Sequence, residues 1–482
     1  MNPIPPSAFY PADDNWTAVM LLPRSRLIDV WDRMKSSYWF VPSVMFFGAL
    51  VLAFAMVRLD LYLWRSETLT DTPWFPKFEG DGARSILSTI ASGMVTVTGV
   101  VFSLTIVSLQ LASSQFGPRL LRAFMSSLGN QIVLGTFTST FLYCLVVIGT
   151  VRAGMGFVPQ LSTATGILLG VVDIAVLIYF IHHVATSIRI ESLIATINED
   201  LREVIDAMFP SEIGESPSDR LQVHSEGLPV GENNKPVRAA AAGYIRHIDS
   251  EMLMSTACKH DLVLRITQAP GDFVVEGSML LCVWPDANAT DQVAGHLRES
   301  MVLGKDRTPK QDLAFAIRQL VEVALRALSP GINDPFTAVE CINRLGEGLC
   351  IVVRRQRPSA YRFDQAGRLR VIAEPMSLQA MTHLAFDPIA RAGGGNGDVA
   401  VRLVETIATV AWRAADPADR RFLLDFAHEL EQQLQGQLVL EGDRRVLAER
   451  FKRALGEVQH RVETADEQAD QRAARWLTID MV

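Results

Sequence analysis

Cysteine is scarce in this chain, and charge is missing from long parts of it. The 482 residues include five cysteines, at Cys144, Cys258, Cys282, Cys341 and Cys350, with no CxxC pair among them. An odd, scattered set excludes a disulfide framework and a Cys-based zinc site, and reads as free thiols. Catalytic signatures are missing as well: there is no GxSxG, no Walker A, no HExxH and no GxGxxG behind a strand. The formal net charge of −8 argues against a general nucleic-acid-binding role. With no nucleophile–base pair and no metal set, the chain reads as a non-enzyme that needs no cofactor, no metal and no nucleic acid.

What is present explains the missing charge. Four apolar segments lie between residues 40 and 190: about Trp39 to Val57, Ser85 to Leu111, Gln131 to Val151 and Thr163 to Val184. About 20 apolar residues cross roughly 30 Å of hydrocarbon, and each segment meets that length. The Pro-rich polar start, with its first apolar run far in and too long for an h-region, does not read as a cleavable signal peptide. Lys and Arg set the orientation. Arg24, Arg26, Arg33 and Lys35 precede the first span, and Arg119 and Arg122 lie between the second and third. The loop after the first span mixes Arg65, Lys77 and Arg84 with Glu67, Asp71, Glu79 and Asp81, and the loop after the third holds Arg152. Both termini are therefore expected in the cytoplasm of a bacterium, with the protein multi-pass in the inner membrane. Trp39, Trp64 and Trp74 fall near the expected interfaces, where amphipathic rings are favoured.

The second span is the least lipid-like. Ser85, Thr89, Ser92, Thr96, Gly99, Ser103, Gln110 and Ser114 recur at steps of three, four or seven, which aligns them on one helical face. Ser88, Thr98 and Thr105 form a second partial face. One helix from Arg84 to Phe116 would be about 50 Å long and would project past the bilayer. Two explanations stand side by side. Small hydroxyl residues let helices approach and bond their own carbonyls, or the stripe lines a hydrated path at the centre of an oligomer, solvating an ion without trapping it.

The fourth span carries Asp173 at mid-membrane depth, at an insertion cost of about 2.5–3.5 kcal/mol. Gly166, Gly170 and Asp173 share a face, so a neighbouring helix can come close. Thr138, Thr140, Tyr143, the second-span hydroxyls or a transported cation are candidate partners, and a protonated Asp173 joining two helices is the alternative. His182 and His183 close this span as interfacial anchors or pH-sensitive groups.

Beyond the spans, Arg189 to Phe209 reads as an amphipathic helix and Pro210 to Lys235 as a linker. GYIRHID, DLVLRI, DFVVEG and MLLCVW give strand signals. APGDFVVEGSMLL is similar to a turn of the small barrel-sandwich domains that carry lipoyl groups or occur in membrane-fusion proteins, but it has no lysine for attachment, so a binding or packing module is expected. From Asp291 the chain reads as mostly helical. LAFAIRQLVEVALRAL is expected to bury Phe315, Leu320, Val323 and Ala327. Asp334-Pro335, Asp387-Pro388 and Asp416-Pro417 each read as a helix start. The turn SPGINDPF is denser than capping requires, so Asn333 and Asp334 are also candidates for a ligand or subunit contact. RRQRPSAYRF and GRLRVI suggest a basic loop and a short strand. GGGNG (393–397) lacks the Lys and Ser/Thr of a P-loop and is expected to be a flexible connection rather than an anion cradle. Residues 397–460 read as helical, and the charged end, HRVETADEQADQRAARW, as a solvated helix.

These readings combine into an α-helical membrane protein with a C-terminal mixed α+β cytosolic domain. The expected divisions are a cytosolic segment at 1–38, spans at 39–190, helix and linker at 191–235, a small β-rich module at 236–290 and a mainly helical region at 291–482. GVVFSLTIVSLQLASSQFGPRLLRAF, NQIVLGTFTSTFLYCLVV, IYFIHHVATSI and ALSPGINDPFTAVECINRL resemble a bacterial family of predicted membrane proteins catalogued as a domain of unknown function, over about residues 30–440. The resemblance implies membrane helices plus a cytosolic region and carries no activity with it. The functional expectation is a homo-oligomeric channel or transporter for an inorganic ion. Its path would be lined by the second-span stripe, tuned by Asp173 and gated by the cytosolic domain. A membrane-anchored sensor or scaffold is the alternative, and an enzyme acting on lipid stands third.

Overall fold

A computed structural model describes residues 39–65, 78–116, 128–151, 157–187, 190–209 and 234–458. The basic segment before the first span, Arg119, Arg122, Arg152, Trp74, Lys77, the 210–233 linker and the charged C-terminal end lie outside the described residues.

Four helices are long and apolar enough to cross a membrane: α1 (Phe40–Arg65), α2 (Gly80–Phe116), α3 (Leu128–Thr150) and α4 (Gln160–Ser187). A helix satisfies its own backbone groups, which lipid cannot do. Each boundary falls within a few residues of its expected place, except that α1 runs on to Arg65 through what reads as loop. At 37 residues, α2 is about 55 Å long, well beyond the hydrocarbon thickness, and it reaches the soluble region.

The third span is the hub of the bundle, since α3 packs against α1, α2 and α4. Small residues set the approach distances. A Cβ on Gly135 would lie 3.2 Å from the Pro42 Cα of α1, and one on Gly129 2.9 Å from His183 Nε2 of α4. Tyr143, Cys144 and Val147 pack with Ala53 and Leu87 in one half of the bundle. Val133 and Phe137 pack with Val101 and Phe180 in the other.

The soluble region has two cores. Strands β1 (Lys235–Arg238), β2 (Gly243–Ile248), β3 (Val263–Ile266), β4 (Phe273–Val274), β5 (Met279–Trp284), β6 (Met301–Gly304), β7 (Tyr361–Phe363) and β8 (Leu369–Ile372) form two sheets. Their orders are β1-β5-β3-β8-β7 and β4-β2-β6. Helices α6 (Ser250–Lys259) and α7 (Asp291–Glu299) share this core through Leu253, Ala257, Val293 and Leu297. The sheets therefore draw on residues from both sides of position 290. The β7–β8 pair reaches its sheet through a parallel pairing with β3. Asp364 fastens that pair. It accepts the backbone N–H groups of Ala366 and Arg368 at 2.9 Å each, and Nε of buried Arg370 at 2.9 Å. Arg370 in turn meets Asp261 at 2.7 Å, beside β3.

The helical core is built from α8 (Leu313–Ala327), α9 (Pro335–Val352), α10 (Leu378–Gly393), α11 (Gly397–Arg413), α12 (Pro417–Gln437) and α13 (441–458). It also takes in α5 (Ile190–Met208), whose Ile194, Ile197, Leu201 and Ile205 are fully buried in it. Asp334 and Asp416 cap α9 and α12 with prolines in the first turn. Asp387-Pro388 does not start a helix. It lies inside α10, which Ser377 caps, and Asp387 instead meets His383 Nδ1 of the preceding turn at 3.1 Å. Phe315 is likewise not a core residue. The buried face of α8 holds Leu313, Ile317, Leu320 and Ala324, and Phe315 lies under the Arg307 guanidinium, 5.3 Å from its ring centroid. The GGGNG connection is tightly packed rather than slack. A Cβ on Gly393 would lie 2.7 Å from Leu328 Cδ1, and Asn396 caps α11 with its own side chain.

The hydrogen bonds to Asp364, led by the Arg368 N–H, hold its carboxyl down at about 2. A lowered folded-state pKa stabilises above the unfolded value, near 4, and that contribution is lost as pH falls through 2. Protection of the β7 and β8 backbone amides, taken relative to their intrinsic exchange rates at each pH, is expected to fall between about pH 4 and 2, and Asp364→Asn is expected to remove this dependence. Equal pH responses in the two proteins would contradict the assignment.

Candidate functional site

The polar stripe of α2 faces away from the bundle. Ser85, Thr89, Ser92, Thr96, Gly99, Ser103 and Gln110 are all exposed, whereas Ala83, Leu87, Ala91 and Val101 on the opposite side are buried. Among the described residues no helix covers the stripe. Its hydroxyls turn back on their own helix: Thr89 Oγ1 donates to Ser85 O at 2.8 Å and Thr96 Oγ1 to Ser92 O at 3.1 Å. The Ser114 side chain lies outside the described residues. The second partial face does not hold together, since Ser88 is exposed, Thr98 half-buried and Thr105 buried.

Asp173 is not part of that face. It is 1% exposed inside the bundle, beside Thr140 and Cys144 of α3. Neither carboxylate oxygen makes a hydrogen bond of ordinary geometry to a described residue. The expected glycine face is real. A Cβ on Gly166 would come 2.6 Å from Leu87 Cδ2, and one on Gly170 3.5 Å from Ile90 Cγ2, both on α2. Tyr143 does not reach Asp173, because its hydroxyl donates to Ser162 O at 3.0 Å. Ser139 Oγ, Gln131 and the Asn130 Oδ1 of α3 are also buried without partners. The bundle interior thus holds several unsatisfied polar atoms, where lipid-facing protein normally has few.

A second buried acid, Asp60, escapes a reading by sequence. It is 2% exposed and accepts from Leu161 N at 2.9 Å, Ser162 N at 2.8 Å and Ser162 Oγ at 2.6 Å. A carboxylate from α1 therefore caps α4, where the open N–H groups and the helix dipole favour negative charge. The partners are a hundred residues apart in the chain, so only a local signal existed, an acid just past an apolar run. The Gln160 side chain adds a clasp at the same end of the bundle, accepting from Phe78 N and donating to Phe78 O.

In the soluble region, α5 meets α9 through a polar seam. Asn198 Nδ2 donates to Glu347 Oε2 at 3.1 Å, and Glu347 also pairs with Arg202 and Arg344 at 3.4 and 3.3 Å. Beside this seam a cleft of about 400 Å³ opens between α9 and α11, lined by Asn343, Arg344, Glu347, Cys350, Arg402 and Thr406. Burial, then Glu203 and Glu199, pushes the Asp200 carboxyl of α5 up to about 6. In SPGINDPF, Asp334 accepts from Thr337 N and Oγ1 at 3.1 and 2.6 Å, and Asn333 takes the left-handed backbone of the turn at φ 47°. Both residues are engaged in building the loop. Among the described residues no group of three or more His, Cys, Asp or Glu is placed to hold a metal ion.

Residues 35–409 match the family described as "Predicted membrane protein (DUF2254)". The chain belongs to this family. An uncharacterized protein of Mycobacterium tuberculosis and one of Mycobacterium bovis are each 32% identical to it over 412 residues, covering 84% of this chain and 77% of the relative. No solved structure matches the chain. The family match spans the four helices, both sheets and most of the helical core, so this member has the spans and the soluble region as one family architecture.

Asp60→Ala leaves the first turn of α4 uncapped. A destabilisation on the order of 1–2 kcal/mol is expected, read as a lower midpoint of unfolding in mixed detergent micelles, with Asp60→Asn losing less. An unchanged midpoint for Asp60→Ala would show that the cap is not needed.

Proposed function

We propose that the protein is an oligomeric channel or transporter for a small cation in the bacterial inner membrane, with its soluble region in the cytoplasm acting as regulator. One observation carries this reading. A face of seven small or polar residues runs the length of a membrane helix and points out of its own bundle. In a single chain that face would meet lipid. Copies of α2 set around a common axis would instead turn it toward one another, and a lumen lined with hydroxyls solvates an ion without holding it. The outward stripe and the length of α2, which carries it to the soluble region, support a path that runs directly to a regulatory part.

Asp173 takes a different role in this reading from lining the lumen. It sits at the junction of α3 and α4, where an unpaired acid makes the helix packing depend on its charge. Because α4 leads directly to α5, the state of Asp173 is mechanically linked to the helical core. The alternative is a sensor, and the polar cleft beside Glu347 favours it: a ligand there would act on α5 through Asn198 and Arg202 without any ion flow.

The test is cation flux through protein reconstituted in liposomes. Thr96→Val removes an ion-solvating hydroxyl, worth about 1–3 kcal/mol, so flux is expected to fall by about 5- to 150-fold. Thr96→Cys is expected to react with a water-borne thiol reagent and to cross-link between subunits. Asp173→Asn is expected to change the pH dependence of flux while leaving assembly intact. An assembled protein that carries no flux, with Cys at position 96 inert, leaves the sensor as the reading.

A further inference from the structure

The SPGINDPF turn uses its polar groups internally and turns its apolar ones outward. Ile332 is 47% exposed and Phe336 77% exposed. A second apolar pair, Val439 and Leu440, is exposed just past the end of α12. Close packing brings the two pairs to one end of the helical region. A Cβ on Gly393, at the end of α10, would sit 2.7 Å from Leu328 Cδ1 at the end of α8, and one on Gly394 would sit 2.7 Å from Leu434 Cδ2 of α12.

Helix α5 identifies which end this is. Asn198 meets Glu347 at 3.1 Å, and further on Arg355 Nη1 donates to Phe209 O at 2.6 Å. The two helices α5 and α9 therefore run side by side in the same direction. Phe336 to Glu347 covers about 16 Å of helix, and Ile190 to Asn198 about 12 Å. Phe336 thus stands within one turn of the level of Ile190. Ile190 follows the last residue of α4, Ser187, by at most about 11 Å of chain. On the same side, α2 emerges from the bundle and touches α8.

We propose that Ile332, Phe336, Val439 and Leu440 form a rim that rests in the headgroup layer of the bilayer, in the leaflet facing the soluble region. The occupant is the lipid surface itself. Exposed Arg391 and Arg445 at this end are balanced by exposed Asp398 and Glu441, so apolar area rather than charge makes the contact. Apolar side chains of such interfacial elements sit roughly 5–10 Å into the headgroup–acyl boundary. The rim gives the helical region a second hold on the membrane beside the α4–α5 connection. It does not depend on whether the protein conducts ions.

The experiment uses the full chain in lipid nanodiscs, with the exposed Cys258 changed to Ser and a nitroxide label placed through Phe336→Cys. Ile332→Cys is a second site. Val275→Cys, on the exposed loop after β4, is the aqueous control. Collision of each label with oxygen, which concentrates in lipid, is compared with collision with a water-soluble nickel chelate. The labels at 336 and 332 are expected to favour oxygen and the label at 275 nickel. Nickel access at 336 and 332 equal to that at 275 would overturn the proposal. So would shielding from both agents with mutual broadening of the labels, which would make the rim a contact between two copies of the chain.

Discussion

The burial of one face of α5 is the interaction on which the rest of the molecule depends. A membrane bundle and a soluble domain joined by a slack tether would be two independent proteins. Here the helix that follows α4 after two intervening residues places Ile194, Ile197, Leu201 and Ile205 in the centre of the soluble helical core. Those four side chains alone bury apolar surface worth about 1.5–3 kcal/mol each. Moving α5 relative to α8 and α9 would forfeit much of that, so a shift of α4 must carry the helical region with it or stay small. Opposite Leu201 a glycine, Gly348, leaves room for the close approach. The polar seam at Glu347 then fixes how far along each other the two helices sit, a task suited to hydrogen bonds because their geometry is narrow.

Polar groups in the membrane region divide into two populations with different physics. On the outward face of α2, Thr89 and Thr96 are satisfied by their own helix, at carbonyls one turn back, so they cost little wherever they face. Inside the bundle, Gln131, Ser139 Oγ and Asn130 Oδ1 have no hydrogen-bond partner among the described residues. An unmade hydrogen bond in a buried site costs about 1–3 kcal/mol per group. Asp60 shows that this bundle can satisfy a buried carboxylate fully when the role is structural. The two buried acids differ in surroundings: the same fold caps Asp60 with three donors and places Asp173 beside Thr140 of α3.

The sequence made the membrane architecture legible because length and charge absence are local properties, read within 20 residues. The stripe on α2 was legible for the same reason, since helical periodicity is local and polar residues at three- and four-residue steps must share a face. Which way the face pointed was not legible, because it depends on where α1, α3 and α4 pack. Asp60 and the seam at Glu347 were hidden for that reason too, as their partners lie far along the chain. Asp387-Pro388 misled because an Asp-Pro pair carries the local signature of a helix start. The preceding residues, from Ser377 onward, already supply a capped helix, and proline at position 388 costs one backbone hydrogen bond within it. The strand in GRLRVI was legible locally, but not the sheet it joins, because its partner β3 lies about a hundred residues earlier.

A regulatory link between soluble cleft and membrane acid requires an element with two arrangements that both sites bias. The α4–α5 unit meets the structural requirement at both ends. At one end Asp173 lies between α3 and α4 beside Thr140, so its packing there would differ between a charged and a neutral form. At the other, Glu347 of α9 holds Asn198 and Arg202 of α5, so a ligand that drew Glu347 toward the cleft would leave fewer partners holding α5 in place. Each site would then act on the same helix through a change in charge pairing, without deforming the apolar core between them. The apolar rim would add to such a link by giving the helical region, with α5 buried in it, a second hold on the bilayer, so that a shift of α4 would be resisted at two points.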